Sequence, residues 1–262
     1  MMEKNLLELK GISKSFKDAK GTTFKAVHNI NLTIKKGEWI GIVGESGSGK
    51  STLARIICHL EAMDEGCMVF KGQDITTLHK KSLKDYYRNL QMIFQDPLST
   101  FSPRMRIGDY LSEPFCNFKI LKKKEAAQHA KVLLENVGLP ADFTEKYPHE
   151  LSGGQLQRVV IARAVGLKPD LIICDECTSA LDVTIQQQIL QLLLDLKKKN
   201  QFSNVVITHD LALAESVCDR IYVMFAGEIV EVLKSPYIVR DAGHPYTKKL
   251  IGAGFPLKMK SL

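Results

Sequence analysis

The chain has 262 residues, 45% hydrophobic and 25% charged, with a formal net charge of +7 and a pI near 9.0. That is enough for one large globular domain, or one with an insertion, and no apolar run approaches the length of a membrane span. The start, Met1-Met2-Glu3-Lys4-Asn5, lacks a basic stretch followed by an apolar core, so no secretory signal and a cytosolic location are expected.

The basic excess suits nucleic acid, an anionic membrane surface or an anionic substrate. The runs Lys122-Lys123-Lys124 and Lys197-Lys198-Lys199 lie in helix-like contexts without aromatics and read as solvated helix faces or ends. Six cysteines are scattered through apolar segments, which points to buried, reduced thiols. Cys174-Asp175-Glu176-Cys177 has C-x-x-C spacing, but no second pair completes a zinc site and its acidic residues suit another role.

In chain order, Leu6–Ile12 and Ala26–Ile34 alternate like strands of an antiparallel region, with a polar turn from Lys17 to Thr23. Phe16 either stacks on a purine or caps the core, and the residues alone favour core. A strand over 38–43 then leads into Gly44-Glu45-Ser46-Gly47-Ser48-Gly49-Lys50-Ser51 and a helix continuing through Thr52. The spacing G-x-x-x-x-G-K-S in a strand–loop–helix context is the phosphate-binding Walker A motif. Its glycines let backbone amides turn inward, and the helix start places a positive dipole end at bound phosphates. Lys50 can reach the outer phosphates, and the Ser51 hydroxyl can bind Mg²⁺.

Cys67–Phe70 reads as a short strand, 72–89 as a polar segment, and Leu90–Phe94 as a strand broken by Gln95-Asp96-Pro97. Gln95 is either a strand-end cap or an amide reaching a metal or water. From Met105 to Glu150 the pattern is helical without an intervening strand, which predicts a helical subdomain inserted at about 100–165. Leu151-Ser152-Gly153-Gly154-Gln155 opens the next helix. The serine with two glycines predicts a second anion-binding terminus, since a purely structural cap would not need two glycines or so close a backbone approach. The apolar strand Leu171–Cys174 ends in Asp175-Glu176, a pair suited to Mg²⁺ binding and water activation. Ser179–Asp182 leads into a helix over roughly 183–199, and the strand Val205–Thr208 ends in His209-Asp210. In open α/β sheets ligands sit beyond such strand ends, so Gln95, Asp175 and His209 are expected to converge on the phosphate loop. Ile221–Met224 and Glu228–Glu231 read as a hairpin around Ala226-Gly227, followed by a basic, partly helical tail from Ser235 to Leu262.

Together these residues resemble the ATP-binding subunit of an ATP-binding cassette (ABC) transporter, over almost the whole chain. The matching motifs are Walker A at 44–51, a glutamine loop at Gln95, the signature Leu151–Gln155 and Walker B at Leu171–Asp175 with Glu176. The aspartate loop Ser179–Asp182 and a switch histidine at His209 complete the order. The implied fold is α/β: a phosphate-loop NTPase (RecA-like) core with an antiparallel β subdomain and an inserted α-helical subdomain. Residues 1–240 would form the ATPase domain and 241–262 a tail. The resemblance implies ATP and Mg²⁺ as cofactors, Glu176 and His209 as catalytic, and Ser51, Gln95 and Asp175 as metal-binding. It assigns nucleotide contacts to Phe16, Val27, 44–52, Gln95, Ser152–Gln155 and Asp182. It further implies two permease subunits, a second ATPase subunit, identical or related, in a head-to-tail dimer, and an extracytoplasmic solute-binding protein. No nucleic acid is expected, and the protein would sit at the cytoplasmic face of the membrane.

Gln95-Asp96-Pro97, Ser102–Met105, Tyr147–Glu150 and His244-Pro245-Tyr246-Thr247 narrow the resemblance to oligopeptide, dipeptide and nickel importers. Cys177 stands where proline or alanine is frequent, and the short tail without a cysteine cluster is more like the nickel-type members. The contrasting expectation is a soluble ABC ATPase of DNA repair or translation. The basic charge suits it, but the sequence carries no second cassette, coiled coil or zinc finger. An unrelated phosphate-loop kinase is opposed by 151–155.

Overall fold

The computed structural model describes residues 5–18, 20–179, 181–234 and 238–254. Part of the expected tail and Ala180 of the aspartate loop lie outside the described residues. In chain order the first elements are β1 (Asn5–Lys17), β2 (Thr23–Lys35), β3 (Trp39–Val43), α1 (Lys50–Ile57), β4 (Glu65–Phe70) and β5 (Gln73–Asp74). Then come α2 (Lys80–Asn89), β6 (Leu90–Ile93), α3 (Ile107–Asn117), α4 (Lys123–Asn136), α5 (Gly153–Gly166), β7 (Leu171–Asp175) and α6 (Val183–Asn200). The chain closes with β8 (Ser203–Thr208), α7 (Leu211–Val217), β9 (Arg220–Phe225), β10 (Glu228–Lys234), α8 (Ile238–Asp241) and α9 (Pro245–Gly254). Two compact units result: Met1–Leu78 with Ser203–Leu262, and His79–Phe202.

The first unit holds two sheet segments. β1 pairs antiparallel with β2 and with β4, which carries the short β5. β3 lies parallel between β8 and β9, with β10 antiparallel on β9. Trp39-Ile40-Gly41-Ile42-Val43 is buried at every position, as expected of a parallel strand covered on both faces. Arg220 of β9 joins the two segments by donating to both Glu38 oxygens at 3.0 Å and to the Thr33 carbonyl at 2.8 Å.

The second unit is mainly helical, around the parallel pair β6 and β7. Ile107, Tyr110, Leu111, Pro114 and Phe115 of α3 are buried, as are Ala126, Ala130, Leu133 and Leu134 of α4. Arg163 of α5 ties α3 down. It donates to the Tyr110 carbonyl and to Glu113, both at 2.9 Å, and lies 4.1 Å over the Tyr110 ring. The compact unit that contains the expected helical segment runs from His79 to Phe202 and so also includes α2, β6, β7 and α6. The two lysine runs sit at helix ends: Lys122 at the N-cap of α4, and Lys197–Lys199 in the last turn of α6, where cations oppose the carbonyl end of the dipole.

Candidate functional site

In the first unit, β3 feeds the phosphate loop and α1 continues it. Register pairs Val43 with Thr208, so Gly44 and His209 each begin one residue beyond paired strand ends, at the same edge. Glu45, Ser46, Gly47 and Ser51 are exposed, while Ser48 and Lys50 are buried. The Lys50 ammonium lies inside the curve of the loop, donating to the carbonyls of Gly44 and Glu45, both at 2.8 Å, and to Ser48 Oγ at 3.3 Å.

The loop is clasped from beneath. A Cβ on Gly44 would lie 2.1 Å from the Met224 carbonyl oxygen, and one on Gly49 2.2 Å from that of Ala26. Gly49 also has φ of +101°, a conformation that side chains disfavour. Ser48 O accepts from Gly227 N at 3.1 Å, and Gly227 O from His28 N at 2.8 Å. The β9–β10 turn and β2 thus hold the loop open as a row of amides leading into α1 and Thr52.

The other first-unit residues divide. His209 is exposed, and the Asp210 carboxylate is spent capping α7 through Leu213 N at 3.0 Å. Phe16 is half-buried, its ring 6.0 Å from exposed Phe24 and 5.3 Å from Lys14 Nζ. The preference for a core role is therefore corrected: the ring is only half-buried, at the end of β1 and paired with exposed Phe24. Val27 is wholly buried, next to the Ala26 carbonyl that stands behind Gly49.

In the second unit, Ile93 pairs with Cys174, so β6 and β7 deliver Gln95 and Asp175-Glu176 to one edge. Gln95 Nε2 donates to Ser179 Oγ at 3.3 Å, and that hydroxyl donates to the Glu176 carbonyl at 2.9 Å. Asp175 is buried and Glu176 half-buried. Glu176 has φ of +48°, an uncommon conformation for a residue with a side chain. Asp182 caps α6 through Ile185 N at 3.0 Å.

The signature segment is a capping box. Ser152 Oγ accepts from Gln155 N at 3.4 Å, and Gln155 Oε1 accepts from Ser152 N at 3.0 Å. The glycines part company here. A Cβ on Gly154 would meet Ile185 Cγ2 at 2.7 Å, whereas one on Gly153 meets nothing closer than 3.8 Å. Gly154 therefore has a packing purpose beside the anion-binding one expected of the pair: it lets α5 approach α6. Ser152 and Gly153 remain exposed at the helix start.

Cys174 and Cys177 are free and buried. The hydrogen bond with Cys174, then burial, push the Cys177 thiol well up, which makes it a poor thiolate. Of the residues that the resemblance assigns to a metal, Gln95 and Asp175 of the second unit offer a carboxamide and a carboxylate, and Ser51 of the first offers a hydroxyl. Each is a hard oxygen donor of the kind that Mg²⁺ takes.

Residues 27–179 match the family described as ABC transporter. The chain belongs to the ABC transporter family. It is 42% identical over 254 residues to the oligopeptide transport ATP-binding protein OppF of Bacillus subtilis, covering 96% of this chain and 83% of that protein. The OppF protein of Streptococcus mutans is 43% identical over 252 residues, covering 95% and 82%. Among solved structures, the ATP-binding cassette MJ0796, as a post-hydrolysis dimer bound to ADP and Pi, aligns with a TM-score of 0.78. It shares 32% identity and covers 87% of this chain and 98% of that one. CbiO1 from Clostridium perfringens, part of the ABC transporter complex cbiONQ, aligns with a TM-score of 0.78 at 27% identity over 90% and 91%. This ABC cassette therefore has the α/β ATPase fold, binds ATP and hydrolyses it. No helix among the described residues is long and apolar enough to cross a membrane.

Proposed function

We propose that the chain is the ATP-hydrolysing subunit of a peptide importer, held peripherally at the cytoplasmic face of the membrane by two permease subunits. The observation that carries this is the match, over nearly its full length, to the two oligopeptide transport proteins. It favours peptide over nickel as cargo, and a transporter over a soluble repair or translation ATPase.

Lys50 and the loop amides between Ser46 and Thr52 bind the phosphates, with Phe16 beside the base. Ser51, Gln95 and Asp175 would hold Mg²⁺, which offsets phosphate charge when bound. Glu176 accepts a proton from the attacking water, and His209 holds the γ-phosphate. The exposed start of α5, Ser152 to Gln155, together with Asp182, addresses the nucleotide of a second, identical or related ATPase subunit. ATP thus favours the closed pair and hydrolysis releases it.

The test is uptake by proteoliposomes holding this chain with the permeases and ATPase encoded beside it, supplied with the solute-binding protein. Peptides should accumulate with ATP inside. Glu176→Gln should cut phosphate release by about 10²–10⁴-fold, the usual worth of a general base, with ATP still bound. Accumulation of nickel in place of peptide, or near-normal turnover in the variant, would refute the cargo or the catalytic assignment respectively.

A further inference from the structure

The segment His244-Pro245-Tyr246-Thr247 has no role in the mechanism above, yet it reaches the phosphate loop. Three polar groups of Glu45 are held at once. Its N–H donates to the Tyr246 hydroxyl at 2.8 Å, its carbonyl accepts from Lys50 Nζ at 2.8 Å, and its carboxylate pairs with Lys249 at 3.1 Å. Tyr246 is 7% exposed, and its ring lies 4.4 Å from that of Phe225 at the end of β9. The segment is itself anchored. Glu231 Oε1 of β10 accepts from Gly243 N at 2.6 Å and His244 N at 3.2 Å, and His244 Nδ1 accepts from Tyr246 N at 3.2 Å. Burial pushes the Tyr246 phenol up, so it stays protonated at neutral pH.

We propose that Tyr246 is a positioning residue for nucleotide binding. Its hydroxyl fixes the plane of the Gly44–Glu45 peptide by holding its N–H. The same plane carries the Gly44 carbonyl, which accepts from Lys50 Nζ at 2.8 Å, so it sets where the ammonium stands. Lys50 is the cation that must turn to the phosphates, so an unanchored Gly44–Glu45 peptide leaves it with more positions to lose on binding. The helix α9 thereby acts as a brace on the loop, and its docking sets nucleotide affinity. The inference rests on the phosphate loop being the nucleotide site.

The full chain is titrated with a fluorescent ATP analogue. Tyr246→Phe keeps the ring against Phe225 and deletes only the hydroxyl. It should raise the Kd by about 3–10-fold, the range of one hydrogen bond, and raise KM for ATP with kcat little changed. Its melting temperature should stay near that of the parent, whereas Tyr246→Ala should lose stability and affinity together. If the phenylalanine restores the parent affinity, the tyrosine only packs and the proposal fails. Amide hydrogen exchange at Glu45 gives an independent readout: slow in the parent and faster in Tyr246→Phe, with equal rates overturning the proposal. A parent chain that does not bind the analogue would refute the nucleotide site, while the exchange result would still decide the Tyr246–Glu45 contact.

Discussion

At Gly49 two constraints coincide. The backbone is left-handed at φ +101°, and an added Cβ would stand 2.2 Å from the Ala26 carbonyl oxygen, which is backbone and cannot swing aside. Gly47 shares the left-handed backbone, at φ +80°, but a Cβ there meets nothing within 4 Å. The two alanine variants therefore separate conformational cost from collision. Gly47→Ala should cost about 1–2 kcal/mol of stability, the strain of one left-handed residue. Gly49→Ala should cost about 2–5 kcal/mol, because displacing a packed strand is added to the same strain. Denaturant unfolding of both variants checks this, and equal losses would show that the clasp by β2 gives way freely. Glu176 shares the left-handed backbone at φ +48° without being glycine, as do seven other non-glycine residues among those described.

At the scale of elements, what was legible followed from apolar pattern. β3, β7 and β8 are continuous apolar runs bounded by polar strand ends, and the structure places a candidate site residue just beyond each. α2 was not legible. Only Tyr86 of its ten residues is buried, so it has no apolar stripe and its polar sequence reads as a loop. α7 is short and follows the His209-Asp210 strand end, where the Asp210 cap is its one local signal. The reason for Gly154 and the grip of Tyr246 on Glu45 were hidden for a different cause. Each depends on a contact distant in sequence, 201 residues away for Tyr246, which no local pattern encodes. The anchoring of α9 also has a pH dependence. Burial works to raise the Glu231 carboxyl, but facing Thr247 and the amides of Gly243 and His244, with the His244 charge, together hold it below the ordinary glutamate value. A lowered folded-state value means that the anchor is fully present above the unfolded pKa and is lost as pH falls through the folded one. Amide exchange in α9 should therefore accelerate only in acid, below the usual glutamate range. Glu231→Gln should exchange faster at neutral pH and lose that acid step. An unchanged acid step in the variant would assign the effect to another carboxylate.

For the whole molecule, the exposed capping box at Ser152–Gln155 and the phosphate loop at 44–51 belong to different compact units. In the proposed head-to-tail pair, each catalytic site takes its loop from one copy and its signature from the other. That division of labour predicts complementation between two dead variants. Lys50→Ala removes the phosphate cation and keeps the signature. Ser152→Arg blocks the helix start with a bulky cation and keeps the loop, so it should still bind ATP. Each alone should hydrolyse almost nothing. In an equal mixture, half of the pairs are mixed, and each mixed pair has one site built from two intact halves. The mixture should therefore recover about a quarter of the parent rate, as twofold symmetry of two independent sites requires. The recovered rate should also fall faster than linearly on dilution, because the active species is a pair. Phosphate release at several protein concentrations measures both effects. A mixture as inactive as its components would show either that copies of this chain do not share sites or that one intact site cannot fire without the other. The related ATPase subunit separates these cases. If that chain restores turnover to Ser152→Arg but not to Lys50→Ala, the loop of this chain is completed by a signature from a different polypeptide.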